Sequence, residues 1–499
     1  MKKFSFKKAG VAALCACITL APCLATACGG GNDDPGKYAG VTDTTIYVGN
    51  TAATTGTQAS IGAPFNYGIK AALWEYNQKG GFSGTYNGKE VSGLKVALKT
   101  YDDGGDATQS VTYMDRLIEE DEVFAIVGNY GSYAVSANLD IIKDARVPMV
   151  YAAAGNEEMA KEKATGADRY IFPVQPISST EGAFLIQRAF APADKGGLEG
   201  TKVGVITNNN DVSVALLKKI RSEANNLPAA QKNNITYQNV SDTETGYGTA
   251  ATALKSAGCD VVILAIATDY IKSVSALMDA GFTSENVKIL TTFNNASSSF
   301  FDTFETVDGN VVTHFDAKYA NIIDAVHAHG WIDITDDAIT GYKYTTEGAL
   351  FDSYKALVAN SQYPNMYDAG VFGFCEEYWS VAEVLFNYGA TNTSEVPVGF
   401  FPFTLSYNSF ALAGYIAGNL FCQGLEMLGD KALTRTNYVD AMESKVIDLA
   451  LADTISYQNG LRLGVEAFTL NKLSAPYGTA GLTSSTVIHT LSTLDKIKD

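Results

Sequence analysis

The feature that most constrains the fold of this chain is a repeated alternation of short β-rich segments with longer amphipathic segments. Four segments in the first part predict strands: TIYVGNT, LKVALKTYDD, VFAIVG and VPMVYAAA. The alternation restarts after Pro173 with four more predicted strands: TKVGVITNN, ITYQNVSD, CDVVILAIA and VKILTTF. Strands that alternate with helices of this length form βαβ units and parallel sheets. The sequence therefore predicts an α/β protein with two doubly wound parallel-sheet lobes.

This arrangement predicts where a ligand would bind. Near-continuous apolar strands such as VVILAIA are typical of sheets that are covered on both faces. In such folds ligands bind beyond the carboxyl ends of the strands. Two lobes that face each other would place both sets of strand ends around one cleft.

The first residues predict export from the cytoplasm. MKKFSFKK contains four lysines, and an apolar stretch runs from Ala9 to Cys28. A positive segment, an apolar segment and small residues in that order are typical of a secretory signal, which we assign to residues 1–27. The following GGGNDDPG has no periodicity and is rich in structure breakers, so residues 28–42 are predicted to form a flexible tether.

Composition excludes several other classes of protein. The formal net charge is −18 and no basic cluster follows the leader, which argues against nucleic acid or anionic lipid as a partner. No later segment has the roughly 18 uninterrupted apolar residues that span a bilayer. Beyond the leader the cysteines are Cys259, Cys375 and Cys422, a set that predicts neither a disulfide framework nor a metal site. The sequence does not decide whether these three are free.

Several segments occur in an order and spacing that resemble a known family: TAATTGTQASIGAPFNYGIKAALWEYNQKGG, KTYDDGGDATQSV, FAIVGNYGSYAVSA and VPMVYAAAGNEEM. They are similar to the solute-binding proteins of branched-chain amino acid ABC transporters, which are two-lobed type I periplasmic binding proteins. The resemblance implies that a small ligand, an amino acid or a related carboxylate, is captured between the lobes and delivered to an ABC permease. No cofactor is implied.

The leader adds an expectation about location. Leu24–Cys28 resembles the lipobox of bacterial lipoproteins, in which the cysteine is lipidated. Cys28 is thus the expected lipidation site, and the protein is expected at the outer face of the bacterial cell membrane, held by a lipid anchor only. Plain secretory cleavage is the alternative.

The resemblance also implies a three-strand hinge, with crossings near residues 173–176, near Asp316 and near Gly460. Lobe 1 would then comprise residues 43–174 and 316–460. Lobe 2 would comprise residues 175–315 and 461–499. The segment at about 318–406 is longer than the family pattern, so an insertion is predicted there.

In the first lobe, the turn after the third predicted strand is the expected ligand contact. The family pattern places at Ser132 a hydroxyl that receives a ligand carboxylate, and Tyr130 is expected in the pocket wall. Independently of the family, free N–H groups at a helix start favour an anion, and Gly128 and Gly131 permit close approach of the backbone. The alternative is that Ser132 only caps the helix.

A second anchoring segment of the first lobe is expected at the end of the next strand. It comprises Ala153, Ala154, Gly155 and Asn156. Gly155 stands where the family usually has a threonine, so backbone contacts can persist while the hydroxyl contact cannot. Asn156 replaces that hydroxyl or simply forms a turn.

The second lobe departs from the pattern at the amine-recognising positions. The acidic residue falls at Phe293, which Asn294 follows, and the expected tyrosine falls at Val212. Because a buried ammonium without a carboxylate partner is costly, either Asp269 provides the counter-charge or the ligand is not an α-amino acid. N-capping of a helix is the alternative role for Asp269.

Other functions were weighed against binding. The chain has no Gly-x-Ser-x-Gly elbow, no phosphate-binding glycine loop and no HExxH, so we expect no enzymatic activity. His327 and His329 could chelate a metal in extended structure, but no further ligand pattern supports a metal site. A ligand-sensing lipoprotein for a membrane receptor, and a scaffold or adhesion lipoprotein that has lost binding, remain alternatives.

Overall fold

The predicted strands form two separate sheets. The structure is a computed structural model that describes residues 39–241, 245–267, 269–296, 298–307, 310–334, 381–406, 408–474 and 484–498. Strands of the first sheet are β1 (Thr45–Ala52), β2 (Phe82–Tyr86), β3 (Lys89–Asp102), β4 (Ala125–Val127), β5 (Met149–Val150) and β6 (Ile171–Phe172). Their order is β2-β3-β1-β4-β5-β6, and all neighbours are parallel except the β2–β3 hairpin.

The second sheet follows the same principle. Its strands are β7 (Val203–Asn208), β8 (Ile235–Val240), β9 (Val261–Ala265), β10 (Lys288–Thr291), β13 (Val326–Gly330), β16 (Ala467–Ser474) and β17 (Ser484–Thr493). The order is β17-β16-β13-β10-β9-β7-β8, in which β16 and β17 are antiparallel to their neighbours. Two small hairpins pair β11 (Asp302–Val307) with β12 (Asn310–Phe315) and β14 (Val446–Ile447) with β15 (Ile455–Ser456). Two mainly parallel sheets confirm the predicted fold class.

The α-helices of the described residues are, in chain order, α1 (Ala59–Gln78), α2 (Ala107–Glu119), α3 (Ser132–Asp144), α4 (Ser178–Phe190), α5 (Asp211–Ala224), α6 (Ala229–Lys232), α7 (Gly246–Ala257), α8 (Tyr270–Asp279), α9 (Val381–Thr391), α10 (Pro402–Ser406), α11 (Ser409–Glu426), α12 (Arg435–Met442) and α13 (Leu494–Lys498). Helices cover both faces of each sheet. In β9, for example, Val262 and Leu264 belong to the core under α7 and α8, whereas Val261 and Ile263 belong to the core under α4 and α5. Burial on both faces explains why this strand is apolar throughout.

Three segments of the described part of the chain connect the two sheets, at about residues 173–177, 330–332 and 461–466. The first and third lie side by side, since the Val465 amide donates to the Val174 carbonyl at 2.8 Å. The crossing expected near Asp316 is wrong, because β13 pairs with β10 and β16 and keeps the chain in the second sheet through Gly330. The crossing was placed near Asp316 by the resemblance alone, and the polar sequence VHAHG of β13 does not have the apolar pattern that predicted the other strands.

The predicted insertion at about residues 318–406 includes residues 335–380, which lie outside the described residues. Its first described part contains β13 of the second sheet, and its last part contains α9 and α10, which pack in the first lobe. Cys259 and Cys422 are buried free thiols, while Cys28 and Cys375 lie outside the described residues.

Helix α11 crosses α1 at very short range through glycines. A Cβ atom added at Gly414 would lie 1.9 Å from the Phe65 carbonyl oxygen, and one at Gly68 would lie 1.9 Å from the Ala411 carbonyl oxygen. The Gly414-xxx-Gly418 spacing therefore serves close packing of α11 on another helix.

Substitution of Gly414 by alanine is expected to lower the free energy of unfolding by about 1–3 kcal/mol, because the two helix backbones must separate. Denaturant titration would measure the change. Gly248→Ala in α7 is the matched control, since nothing lies within 4 Å of the added Cβ. We expect this control to be neutral or slightly stabilising. Equal stability of the Gly414 variant and the wild type would contradict the packing described here.

Candidate functional site

The turn after β4 lies where the first sheet presents the carboxyl ends of its parallel strands. Gly128 and Gly131 have φ angles of +72° and +93°. A Cβ at Gly128 would also lie 2.6 Å from the Ile69 side chain and 2.8 Å from the Phe65 ring. Both glycines are thus required by backbone conformation, and the first also by close packing against α1.

Ser132 is the first residue of α3 and is exposed, while Gly131 occupies the N-cap position. The structure therefore does not support the capping role considered for Ser132. Within the described residues the amides of Ser132 and Tyr133 donate no hydrogen bond. An exposed hydroxyl and two free amides at the start of a 13-residue helix form an arrangement that favours an anion.

The segment Ala153–Asn156 lies beside this turn. Tyr130 forms a bridge with Ala153, and the Gly131 amide donates to the Ala153 carbonyl at 3.2 Å. The structure therefore brings together all six site residues predicted in the first lobe.

Two members of this segment have other contacts. The Gly155 carbonyl accepts from the amide of Ser178 at 3.3 Å and from its hydroxyl at 3.0 Å, so it holds the start of α4. Asn156 donates from Nδ2 to the Ser136 hydroxyl at 2.6 Å and to Glu158 at 3.2 Å. The side-chain amide of Asn156 therefore fastens this segment to α3. That Asn156 replaces the hydroxyl of the threonine usual at position 155 stays a prediction.

Aromatic rings form a continuous row behind the turn. The ring centroids of Phe65 lie 5.8 Å from Tyr130 and 5.6 Å from Tyr151, and Tyr151 lies 5.9 Å from Trp331. Tyr151 is buried and has a φ of +57°, a conformation that is costly for a bulky residue. The row connects the first lobe to the second hinge crossing, a connection that the sequence analysis missed because Trp331 is distant in the chain.

A buried polar network supports the same strand ends. The Thr51 hydroxyl bonds to Ser110 at 2.7 Å and to Asn129 at 2.9 Å, and Asn138 donates to Ser110 at 2.9 Å. Asp103 accepts from the Tyr133 hydroxyl at 2.8 Å. These hydrogen bonds hold the turn after β4 in one conformation, and with it the start of α3, where an anion is favoured.

The neighbouring Asp102 organises the loop before α1. Its carboxylate accepts from the amides of Thr54 at 2.9 Å, Thr55 at 3.2 Å and Gly104 at 3.1 Å. Partial burial opposes ionisation, but the hydrogen bonds from the Thr55 hydroxyl and from these three amides hold the pKa of Asp102 below its usual value. Asp102 therefore stabilises this turn of the backbone.

In the second lobe, Asp269 follows β9 in a left-handed conformation with φ +62° and makes no capping hydrogen bond. Asp269 thus occupies the N-cap position of α8, but its side chain does not cap the helix. The Asp269 carboxylate lies 3.9 Å from Lys272 and beside the Tyr247 hydroxyl, whose pKa is raised by burial and by this carboxylate. Asp269 is partly exposed, as a ligand contact would require.

Phe293 and Asn294 follow β10 and form part of a short loop. Phe293 is half-buried against the core that contains the aromatic row, and Asn294 is exposed. β9 and β10 are parallel neighbours, so these residues and Asp269 follow adjacent strand ends.

The structure also identifies a buried group that the sequence did not indicate. Glu181 accepts a hydrogen bond from the Phe293 amide at 2.8 Å and shares a hydrogen bond with His329 Nδ1 at 3.0 Å. An acidic residue near the start of a helix usually indicates only a favourable charge at the helix end. Long-range pairing brings these three residues together.

No cluster of three or more metal-ligating side chains occurs among the described residues. His327 bonds through Nδ1 to the Ala325 carbonyl at 2.8 Å, and burial lowers its pKa to about 4. The two histidines of β13 thus have separate structural contacts. Nor does any helix in the described part of the chain have the length and apolar character needed to cross a membrane.

Two sheets whose strand ends carry the candidate residues, joined by three crossings, define a two-lobed α/β binding protein. A profile of the periplasmic binding protein family matches residues 45–299, just over half of the chain. This chain belongs to the periplasmic binding protein family.

Solved structures with the same fold span most of the chain. An extracellular ligand-binding receptor from Verminephrobacter eiseniae is 15% identical with a TM-score of 0.56, covering 86% of this chain and 98% of its own. A fatty acid ABC transporter substrate-binding protein from Thermomonospora curvata is 17% identical with a TM-score of 0.56, and the match covers 92% of this chain and 95% of that protein. A putative branched-chain amino acid ABC transporter protein from Rhodospirillum rubrum is 15% identical with a TM-score of 0.52, covering 88% and 99%.

A curated relative, an amino acid binding protein from Pseudomonas aeruginosa, is 21% identical over 217 residues. The match covers 44% of this chain and 52% of the relative, so the chain matches about half the length of that protein.

Proposed function

We propose that this protein is an extracytoplasmic solute-binding lipoprotein that captures a small carboxylate-bearing ligand between its lobes and delivers it to an ABC permease. The family and the likeness to ABC transporter binding proteins support the class of function. The lysine-rich leader and the segment ending at Cys28 support export and a lipid anchor.

The observation that carries the proposal is the start of α3. The amides of Ser132 and Tyr133 are free within the described residues, the Ser132 hydroxyl is exposed, and the segment from Ala153 lies alongside. A ligand carboxylate would take the place of water at these donors. Helix polarity strengthens this interaction because the amide ends of the peptide units point toward the ligand.

The opposite end of the ligand would meet the second lobe. Phe293 presents an apolar side chain where an amine-binding acid was expected, while Asp269 is a partly exposed carboxylate. An amino acid would need Asp269, or an equivalent group, as counter-charge. A carboxylate with an apolar tail would instead contact Phe293. Relatives named for amino acids and for fatty acids both occur among the similar proteins.

Ligand binding would shift the equilibrium between the open and the closed arrangement of the two lobes. A ligand that contacts both lobes binds the closed arrangement better than the open one, and its differential affinity sets the extent of closure. The closed surface then docks on the permease. No chemical step is required.

The first experiment is native mass spectrometry of the purified protein, followed by identification of any bound small molecule and titration of a panel of amino acids and carboxylates. A carboxylate ligand would support the proposal. A bound molecule without a carboxylate or other anionic group would contradict the role of the α3 start.

Ser132→Ala is expected to weaken binding of that ligand by about 1.5–3 kcal/mol, or roughly ten- to hundredfold, because one hydrogen bond to a charged group is lost. Isothermal titration calorimetry would measure the affinity. Ser222→Ala, an exposed serine near the end of α5, is the matched control and should bind as the wild type does. Unchanged affinity in the Ser132 variant would place the ligand elsewhere.

A further inference from the structure

Glu181 occupies a junction between the hinge and the second lobe. It lies in the first turn of α4, the helix that starts directly after the first hinge crossing. The start of this helix is fastened to the first lobe, since Glu157 accepts from the Ser179 amide at 2.6 Å. The Glu181 side chain is only 1% exposed, so its environment is set entirely by protein.

Its carboxyl group contacts two further segments. One is the loop after β10, through the Phe293 amide at 2.8 Å, and the other is the end of β13, through His329 Nδ1 at 3.0 Å. Trp331, in the second hinge crossing, follows His329 by two residues. The Glu181 carboxyl group thus connects three segments: helix α4, strand β13, and the loop after β10 that carries the candidate ligand residues Phe293 and Asn294.

The charges around this group leave it without a cationic partner among the described residues. His329 is fully buried, and burial together with nearby Arg188 lowers its pKa well below the usual value, so it is neutral. Arg188, on α4 itself, donates instead to the carbonyls of Gly196 and Phe468 at 2.8 and 2.7 Å. Neither residue therefore neutralises a negative charge on Glu181.

The other elements packed on α4 carry charged groups that are engaged elsewhere. Lys288 on β10 donates to the Leu198 carbonyl, and Glu223 on α5 pairs with Lys498 of α13. Lys219 of α5 lies beside Gly182, and its positive charge interacts with the carboxyl group of Glu466. Burial thus dominates the behaviour of Glu181 and raises its pKa to about 8.

We propose that Glu181 is a positioning residue of the ligand site: its uncharged carboxyl group holds the Phe293 loop against the hinge and so sets the second-lobe wall of the cleft. This inference rests on the proposed function. Loss of the proton leaves a buried charge without a cation, and the loop must move so that water can reach it. Ligand affinity is therefore tied to the protonation of a side chain that the ligand does not touch.

The first arm of the test needs no ligand. Selective ¹⁵N-phenylalanine labelling of the chain without residues 1–27 gives 22 amide signals, and Glu181→Gln identifies those that respond to residue 181. In the wild type, the Phe293 amide shift is expected to titrate with a midpoint near pH 8. The glutamine variant keeps an acceptor oxygen for both bonds and should show no such titration. Absence of a titration at Phe293 in the wild type would overturn the proposal.

The second arm measures binding of L-leucine between pH 6.5 and 9. Titration of the ligand itself cancels in the ratio of wild-type to Glu181→Gln dissociation constants. If only the protonated form binds, this ratio is about 1 at pH 7, about twofold at pH 8 and about tenfold at pH 9. Glu75→Gln, a buried glutamate of the first lobe bonded to Tyr415, is the control and should follow the wild type.

The outcomes separate the two proposals. A ratio that stays flat up to pH 9, in proteins that remain folded, would make Glu181 a structural residue without influence on binding. If L-leucine binds neither protein, the assignment of an amino acid ligand fails for this probe. The Phe293 titration then decides by itself whether Glu181 holds the loop.

Discussion

Replacement of Glu443 by alanine is expected to lower the free energy of unfolding by about 3–5 kcal/mol, because it leaves a buried guanidinium without its counter-charge. Glu443 accepts from Arg462 at 2.5 Å and from Arg169 at 2.6 Å. Arg462 is completely buried, and its guanidinium packs 4.6 Å from the centre of the Phe172 ring. Burial lowers the pKa of Arg462, and the Glu443 carboxylate opposes that shift.

The position of this cluster explains why the effect should extend beyond one ion pair. Arg462 lies at the third hinge crossing, and its side chain also donates to the carbonyls of Leu461 and Arg169, each at 2.7 Å. Loss of Glu443 would therefore loosen the base of the hinge as well as the first-lobe core.

Urea unfolding of the variant measures the loss. Asp440→Ala is the control, since Asp440 pairs with the same Arg169 but its side chain is 41% exposed. An exposed pair of this kind contributes about 0–1 kcal/mol. A loss from Glu443→Ala no larger than that of the control would show that Arg462 is satisfied by its carbonyl partners alone.

The second large effect is on the pH dependence of stability. The folded pKa of Glu181, about 8, lies above the ordinary glutamate value of 4.5. Between these two values the folded protein retains a proton that the unfolded chain has lost. The contribution to stability is therefore fully present below about pH 4.5 and decreases as pH rises toward 8, by up to about 1.4 kcal/mol per pH unit.

Glu181→Gln is expected to remove this slope and to be more stable than the wild type at pH 8, since the amide oxygen can accept both hydrogen bonds and carries no charge. Unfolding should be measured from pH 6.5 to 8, because His329, whose pKa is lowered, makes a stability contribution that is lost only at lower pH. The Glu75→Gln variant should retain the wild-type slope. Parallel pH profiles for the wild type and Glu181→Gln would refute a raised pKa at this site.

The regular elements of the core were predictable because burial on both faces leaves a clear pattern. The segment VVILAIA gave β9, and the apolar run before Gly128 gave β4. The β2–β3 hairpin was missed because β2, FSGTY, has only one buried residue. Helix α1 includes Pro64, a residue that in a sequence usually marks the start or the end of a helix.

The candidate site was predictable on the first lobe and less so on the second. Tyr130, Ser132 and the segment from Ala153 follow adjacent parallel strands, and the carboxyl ends of such strands meet at one edge. Their role in ligand binding remains a prediction. Glu181 was missed because its partners are 112 and 148 residues away, and nothing in a helix sequence indicates which distant strand will face it.

The sequence by itself determined the alternation of strands and helices, the two lobes and the glycine turn at the start of α3, because each is recorded in local spacing or residue type. The tertiary structure decided the second crossing of the hinge, the aromatic row from Phe65 to Trp331, and the buried environment of Glu181. These depend on which distant segments pack together and exclude water. Burial changes the chemistry of a side chain only after that packing exists, so no local pattern could have specified it.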